Sequence, residues 1–194
     1  MCSQLTPELA NSPVFTACFP KLSETTLAYL SEEHSQATAP SLLEELSLEK
    51  MAAVSPEYLG SLSKDKLKHV TGAACAGFQR SHLDVIDLTE LPPDCYQGIP
   101  PSLFSYMSPD QIKAIPTEAL SRCISKDQIM NLERESLNAV VERLDDLGKG
   151  ISAQCKDHPC LGFSKSQIDE LDSAGRKKYH EHCDPVIQSQ TLNA

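Results

Sequence analysis

SLEKMAAVSPEYLGSLSKDKLKHVTGAACAGFQRSHLDVI (residues 47–86) carries the pattern on which the fold turns. Cut every eight residues, it yields five segments of the form S/T/P-x-x-x-Φ-x-x-Φ, where Φ is an apolar side chain. Ser47 is followed by Met51 and Val54, Ser55 by Leu59 and Leu62, Ser63 by Leu67 and Val70, and Thr71 by Cys75 and Phe78. Gln79, with Leu83 and Ile86, keeps the apolar pair and loses only the hydroxyl. Upstream copies start at Ser23 (Leu27, Leu30) and Ala39 (Leu43, Leu46). Downstream copies start at Pro92 (Tyr96, Ile99), Pro100 (Phe104, Met107), Ser108 (Ile112, Ile115) and Pro116 (Leu120, Cys123). After one extra residue come Ser125 (Ile129, Leu132) and Glu133 (Leu137, Val140), and Ser164 (Ile168, Leu171) opens a detached copy.

An uninterrupted α-helix turns about 100° per residue, so eight residues overshoot two full turns by about 80°. A long helix would wind this apolar stripe around its axis and bury no single face. Strands fail too, because apolar spacings of four and three do not alternate. A break in every octad resolves the conflict: each unit is a very short helix whose two apolar residues share a face. The punctuation agrees. Serine stands at the N-cap, and Gln111, Gln128 and Gln167 lie three residues after Ser108, Ser125 and Ser164, the capping-box arrangement. Pro56 and Pro109 follow such serines directly, where a missing N–H costs nothing. Pro100 and Pro116 stand where the preceding helix must already have ended.

Helices this short do not survive alone, since nucleation fixes several dihedral angles for one hydrogen bond. They persist by stacking apolar edges on neighbours, which is the logic of a solenoid. The sequence therefore predicts an all-α superhelical array (solenoid) of very short helices with an eight-residue period. Pairing consecutive octads as antiparallel helices gives a unit of about sixteen or seventeen residues, small beside the usual αα repeats of about 34 to 47. A compact bundle of short helices is the competing arrangement.

Runs such as SPEYLGSLSKDKLKHV (55–70) and IPPSLFSYMSPDQIKAIPTEAL (99–120) resemble the L-S-P-E-x-L repeats of the mesothelin and stereocilin family. The likeness covers roughly residues 41 to 145. It implies a superhelical array of short helices on an extracellular surface, used for adhesion or recognition and without catalytic residues. It brings no family site residues to this chain, which shows no lipid-anchor tail of the kind that family can have.

Three regions follow from the pattern. Residues 1–40 read as an N-terminal cap, broken by Pro7, Pro13 and Pro20, with SEEHSQATAP (31–40) as a polar loop. Residues 41–147 form the repeat array, interrupted by DLTELPPDCYQGIPP (87–101) as a surface insertion or a bend. Near 133–147, ERESLNAVVERLDDL is the one helix of ordinary length, with Leu137, Val140, Val141 and Leu144 on one face. Residues 148–194 are a Cys/His-rich appendage ending in QSQTLNA, a frayed tail.

Composition narrows the function. With 194 residues, 17 basic and 27 acidic side chains, a net charge of −10 and 5% aromatics, the chain lacks the clustered Lys/Arg a nucleic-acid surface needs. No apolar run is long enough for membrane insertion. The start, MCSQLTPEL, has neither the basic nor the apolar segment of a signal peptide. No GxGxxG, Walker A, HExxH or GxSxG motif is present, and no cofactor is expected. Cys75 lies between His69 and His82, but core packing at a Φ position explains it better than a nucleophile does. His34, His69, His82 and His158 read as ordinary exposed residues, and Glu44-Glu45 and Asp145-Asp146 as solvated surface.

Cysteine is the outlier. Cys2, Cys18, Cys75, Cys95, Cys123, Cys155, Cys160 and Cys183 are eight, a number that favours an oxidising compartment. All eight are disulfide candidates, and the 105 possible pairings cannot be separated from sequence. In the appendage, Cys155 or Cys160 with Cys183 would tether the last helix to the loop before it. The alternative there is a tetrahedral zinc site from Cys155, Cys160, His180 and Cys183, in an intracellular adaptor. A third reading is a thiol-active protein using Cys155 or Cys160.

Between residues 24 and 57 stand seven acidic side chains and a single base, Lys50. This end of the array either steers toward a basic partner or is a solvated face with none. The expectation is a non-enzymatic protein–protein recognition or adhesion module, extracellular or at the cell surface.

Overall fold

A computed structural model describes residues 12–147 and 159–191, and the side chains of 121–123, 147 and 190–191 lie outside that description. Among the described residues there are eighteen α-helices, three short 3₁₀ turns and no strand. Sixteen of the helices are only four to seven residues long. The chain divides into two compact units, Met1–Ile99 and Pro100–Ala194.

The octad chemistry accounts for each short helix. Ser23, Ser47, Ser55, Thr71, Ser108, Ser125 and Ser164 cap their helices, each hydroxyl accepting the N–H three residues on. Gln111, Gln128 and Gln167 complete capping boxes by accepting the N–H of their serine at 2.8, 2.9 and 2.9 Å. Both Φ positions are buried in every octad from Ser47 through Gln79, from Met51 to Ile86.

The packing partner is not the neighbouring octad. In Met1–Ile99 the helices Glu24–Leu27, Leu48–Ala53, Gly72–Cys75 and Pro93–Gly98 pack in succession, one file of the structure. Glu32–Ala37, Pro56–Gly60 and Arg80–Leu83 form a second file, and Pro40–Leu43, Lys64–Leu67 and the 3₁₀ turn Leu88–Glu90 a third. Each helix thus meets the one three octads later, about 24 residues on, and the expected antiparallel pairing of consecutive octads does not occur. A four-residue helix is only about 6 Å long, too short to bury a flank along an antiparallel neighbour. The unit Pro100–Ala194 repeats the rule with Pro101–Phe104, Lys126–Met130 and the turn Pro159–Gly162; with Pro109–Ala114, Arg134–Glu142 and Lys165–Glu170; and with Thr117–Cys123, Leu144–Leu147 and Ser173–Thr191.

So many helix ends leave many unsatisfied carbonyls, and side chains 25 to 38 residues later in the chain supply donors. Lys50 Nζ donates to the carbonyl of Pro20 and Ser55 Oγ to that of Leu30. Lys66 Nζ donates to Ser35 and Gln36 O, both at 2.7 Å, and His82 Nε2 to Val54 O at 2.9 Å. In the second unit Arg143 reaches Ile112, Lys113 and Ile115 O, and Gln167 reaches Ile129, Met130 and Leu132 O.

Three local expectations change. SEEHSQATAP is not a polar loop: Glu32–Ala37 is a helix, and Ser31 opens an octad whose Φ places hold Ser35 and Thr38, both 1% exposed. Their hydroxyls are satisfied internally, Ser35 with Glu32 O at 2.7 Å and Thr38 with His34 O and Tyr58 OH, both at 2.8 Å. The stretch 87–101 keeps its place in the files, because Leu88–Glu90 stands in for a full octad with Leu88 and Leu91 buried. The longer helix near 133–147 breaks at Arg143 into Arg134–Glu142 and Leu144–Leu147, and the longest helix is Ser173–Thr191, which takes in most of the expected tail.

The first file is tight enough to demand glycine. A Cβ on Gly98 would lie 2.0 Å from Gly72 O, whereas one on Gly60 would meet the Val85 side chain at 3.0 Å. Gly98→Ala therefore costs about 3 kcal/mol by overpacking against backbone, and Gly60→Ala much less. Urea denaturation of both variants checks the contrast.

Candidate functional site

The octad buries its Φ positions and spends its cap on the backbone, so the remaining positions face water. Over residues 24–57 of Met1–Ile99 these are largely acidic. Glu24, Glu32, Glu33, Glu49 and Glu57 all sit in the first turn of their helices, where carboxylates oppose no dipole. The cap hydroxyls of Ser31 and Ser47 hold the carboxyls of Glu33 and Glu49 below the usual range. The one base of the stretch, Lys50, turns inward to the Pro20 carbonyl.

Two grooves run along this surface. Glu24 and Glu49, with Leu22, Ser23, Thr25, Ser47 and Lys50, line one of about 520 Å³. Glu32 and Glu57, with Pro56, Gly60, Ser61 and the exposed Val85, line another of about 530 Å³. Tyr29, between Glu24 and Glu32 in the chain, is 83% exposed, the largest exposure of any sizeable apolar side chain described. Glu44 pairs with His69 at 2.6 Å, and Glu45 and Glu57 have no ion pair among the described residues.

Among the described residues of Pro100–Ala194, several chemistry-bearing side chains make structural contacts. Cys160 is joined to Cys183, and Phe163 packs its ring 5.0 Å from that of Tyr179. Asp145 receives Lys178 at 3.0 Å and His182 at 2.5 Å, and the Lys178 ammonium first, then His182, hold its carboxyl below the usual range. His180 pairs with Asp184 at 3.1 Å, and Asp146 with Arg143 at 3.3 Å. A cavity of about 210 Å³ lies between Asn138, Val141, Glu142, Asp172, Gly175 and Lys178.

Of the four residues of the zinc alternative, Cys160 and Cys183 are bonded to each other and have no thiolate to offer. His180 is engaged with Asp184, and Cys155 lies outside the described residues. Among the described residues no group of three or more His, Cys, Asp or Glu side chains could hold a metal ion. Cys75 is bonded to Cys95 and Cys18 is disulfide-bonded as well; Cys2 and the side chain of Cys123 lie outside the described residues. The disulfide removes the thiol that a pairing of Cys75 with His69 or His82 would need.

Two histidines are not the exposed residues expected from sequence. His34 and His82 are 1% and 2% exposed, because each replaces glutamine in a capping box. His69 is exposed, and His158 lies outside the described residues. The octads also carry a 24-residue recurrence: His34, Tyr58 and His82 occupy one position of the second file, three rings in succession. Burial pushes the hydroxyls of Tyr58 and Tyr96 well above the usual phenol range, so both remain neutral donors.

No helix among the described residues is long and apolar enough to cross a membrane. No family model, curated protein or solved structure matches this chain.

Proposed function

We propose that the chain is a non-enzymatic protein-recognition or adhesion module on a short-helix solenoid, working outside the cell or at its surface. Third-neighbour packing recurs in both units and supports the solenoid, although the last helix, Ser173–Thr191, also packs on Arg134–Glu142, Lys165–Glu170 and the turn Pro159–Gly162. The disulfides Cys75–Cys95 and Cys160–Cys183 support an oxidising compartment, the setting that the likeness to the mesothelin and stereocilin family implies.

The observation that carries the reading is the acidic surface of residues 24–57, whose single base is consumed by a backbone carbonyl. An outward array of carboxylates with an exposed tyrosine among them fits a basic protein partner, attracted at a salt-dependent rate. Its test is cross-linking on intact cells of the source organism, with the wild type and with Glu32→Lys/Glu57→Lys. A surface-exposed protein without free thiols, giving an adduct that the charge reversal and about 0.5 M salt both abolish, supports the proposal. A protein with reduced thiols inside the cell, or an adduct indifferent to both changes, overturns it.

A further inference from the structure

Two joints of the same design occur in the two units, and one of them titrates. In Pro100–Ala194, Gln167 accepts the Ser164 N–H at 2.9 Å and donates to the carbonyls ending Lys126–Met130, Ile129 and Leu132 both at 3.2 Å. In Met1–Ile99, His82 accepts the Gln79 N–H on Nδ1 at 3.0 Å and donates from Nε2 to Val54 O, the carbonyl ending Leu48–Ala53, at 2.9 Å. One side chain therefore caps its own helix and fastens it to the circuit before. An amide does this at any pH. An imidazole does it only when neutral, because Gln79 N–H can only donate and the Val54 carbonyl can only accept.

We infer that His82 makes Met1–Ile99 acid-labile at the joint where Pro100–Ala194 carries a pH-indifferent glutamine. A proton on Nδ1 sets two donors against each other, so the ring must turn out or leave the Gln79 N–H unsatisfied. Either way the segments 79–86 and 47–54 part. The ring is 2% exposed, with Phe78 against it at 6.0 Å between centroids. The titratable or charged groups on the elements packed around it are Glu49 and Lys50 on Leu48–Ala53, Tyr58 and Glu57 on Pro56–Gly60, and Arg80 and Asp84 beside it. Tyr58 is buried and held neutral with its hydroxyl on Thr38, while Glu57, Arg80 and Asp84 are exposed.

Burial holds the imidazole below its ordinary 6.5, the Val54 carbonyl opposing only in part. The unfolded chain thus takes the proton first. The contribution of His82 is complete above 6.5 and is lost progressively as pH falls below it, through the lowered pKa of the folded form. In acid surroundings residues 47–54 and 79–86 loosen while 126–132 and 164–171 hold.

Amide hydrogen exchange on the full chain at about pH 7.5 and about pH 5, corrected for intrinsic rates, tests this. The wild type loses about tenfold protection across 79–86 relative to 164–171. His82→Gln keeps both bonds and abolishes the difference. Equal loss in both segments, or the same loss in His82→Gln, overturns the inference. Should that variant not fold, the His82 ring signals of the wild type decide: titration below 6.5 supports it, and titration at or above 6.5 overturns it. The readout is local stability, so the result is independent of whether a basic partner is found.

Discussion

Leu67→Asp leaves Met1–Ile99 without a cooperative thermal transition, and amides of residues 47–86 then exchange at nearly unprotected rates. Leu67 is 3% exposed in Lys64–Leu67, a helix of four residues with no stability of its own. Removing a buried leucine costs about 3–5 kcal/mol through lost transfer and cavity terms. A carboxylate at that place adds about 1–3 kcal/mol or more, for a polar group without a partner. Against a total stability of about 5–15 kcal/mol for a domain of ordinary size, little is left. Ile112→Asp, at a site 0% exposed, does the same to Pro100–Ala194.

The control lies three residues before Leu67. Lys64 is 66% exposed and meets Glu90 at 2.7 Å and Asp87 at 3.5 Å. Solvent screens both contacts, so Lys64→Ala leaves the melting curve where it was. Circular dichroism and thermal melting of the three variants give the answer. An unchanged melt for both aspartate variants would mean that the octad does not mark the buried face.

How far the octad alone reaches is shown by Leu67 and its neighbours. Two apolar residues three apart, behind a serine, specify which side of a short helix is buried and where it begins. They do not specify its partner, because an octad that pairs with the next one and an octad that pairs with the third carry the same letters. The signal for the third neighbour was the 24-residue recurrence of His34, Tyr58 and His82, whose rings differ from every other residue at that octad position. It is legible only to a comparison at that longer period. Ser35 and Thr38 hid the octad of Ser31 for a related reason: hydroxyls can replace apolar groups where Ser61 and Tyr58, 26 and 20 residues later in the chain, supply partners. The acidic surface was legible as composition. Its inward-turned lysine was not, since the carbonyl that Lys50 meets lies 30 residues away in sequence.

The two described disulfides answer differently to removal. Cys75 and Cys95 are 20 residues apart and Cys160 and Cys183 are 23 apart, so in the chain-entropy picture each closes a loop worth about 3 kcal/mol. Their surroundings decide where that loss appears. Cys75 and Cys95 are both 0% exposed in the tight first file, where Gly72, Gly77 and Gly98 bring backbones together. Cys75→Ala/Cys95→Ala therefore lowers the melting temperature of Met1–Ile99 as a whole, by about 4–8 °C for each kcal/mol lost in a unit of that size. Ser173–Thr191 has less apolar anchorage: Tyr179 and Cys183 are its two core side chains, and Pro185 interrupts its hydrogen bonds. Beyond Cys183 the described side chains are half-buried or exposed. Cys160→Ala/Cys183→Ala accordingly frays the helix from about residue 183 onward, while Lys178 keeps its first turns on Asp145 and the Glu142 carbonyl. Hydrogen exchange separates the two outcomes: a uniform loss of protection across residues 24–99 for the first pair, and a loss confined to 180–191 for the second. Protection of 180–191 unchanged in the second variant would mean that side-chain packing, and not the covalent link, holds the last helix.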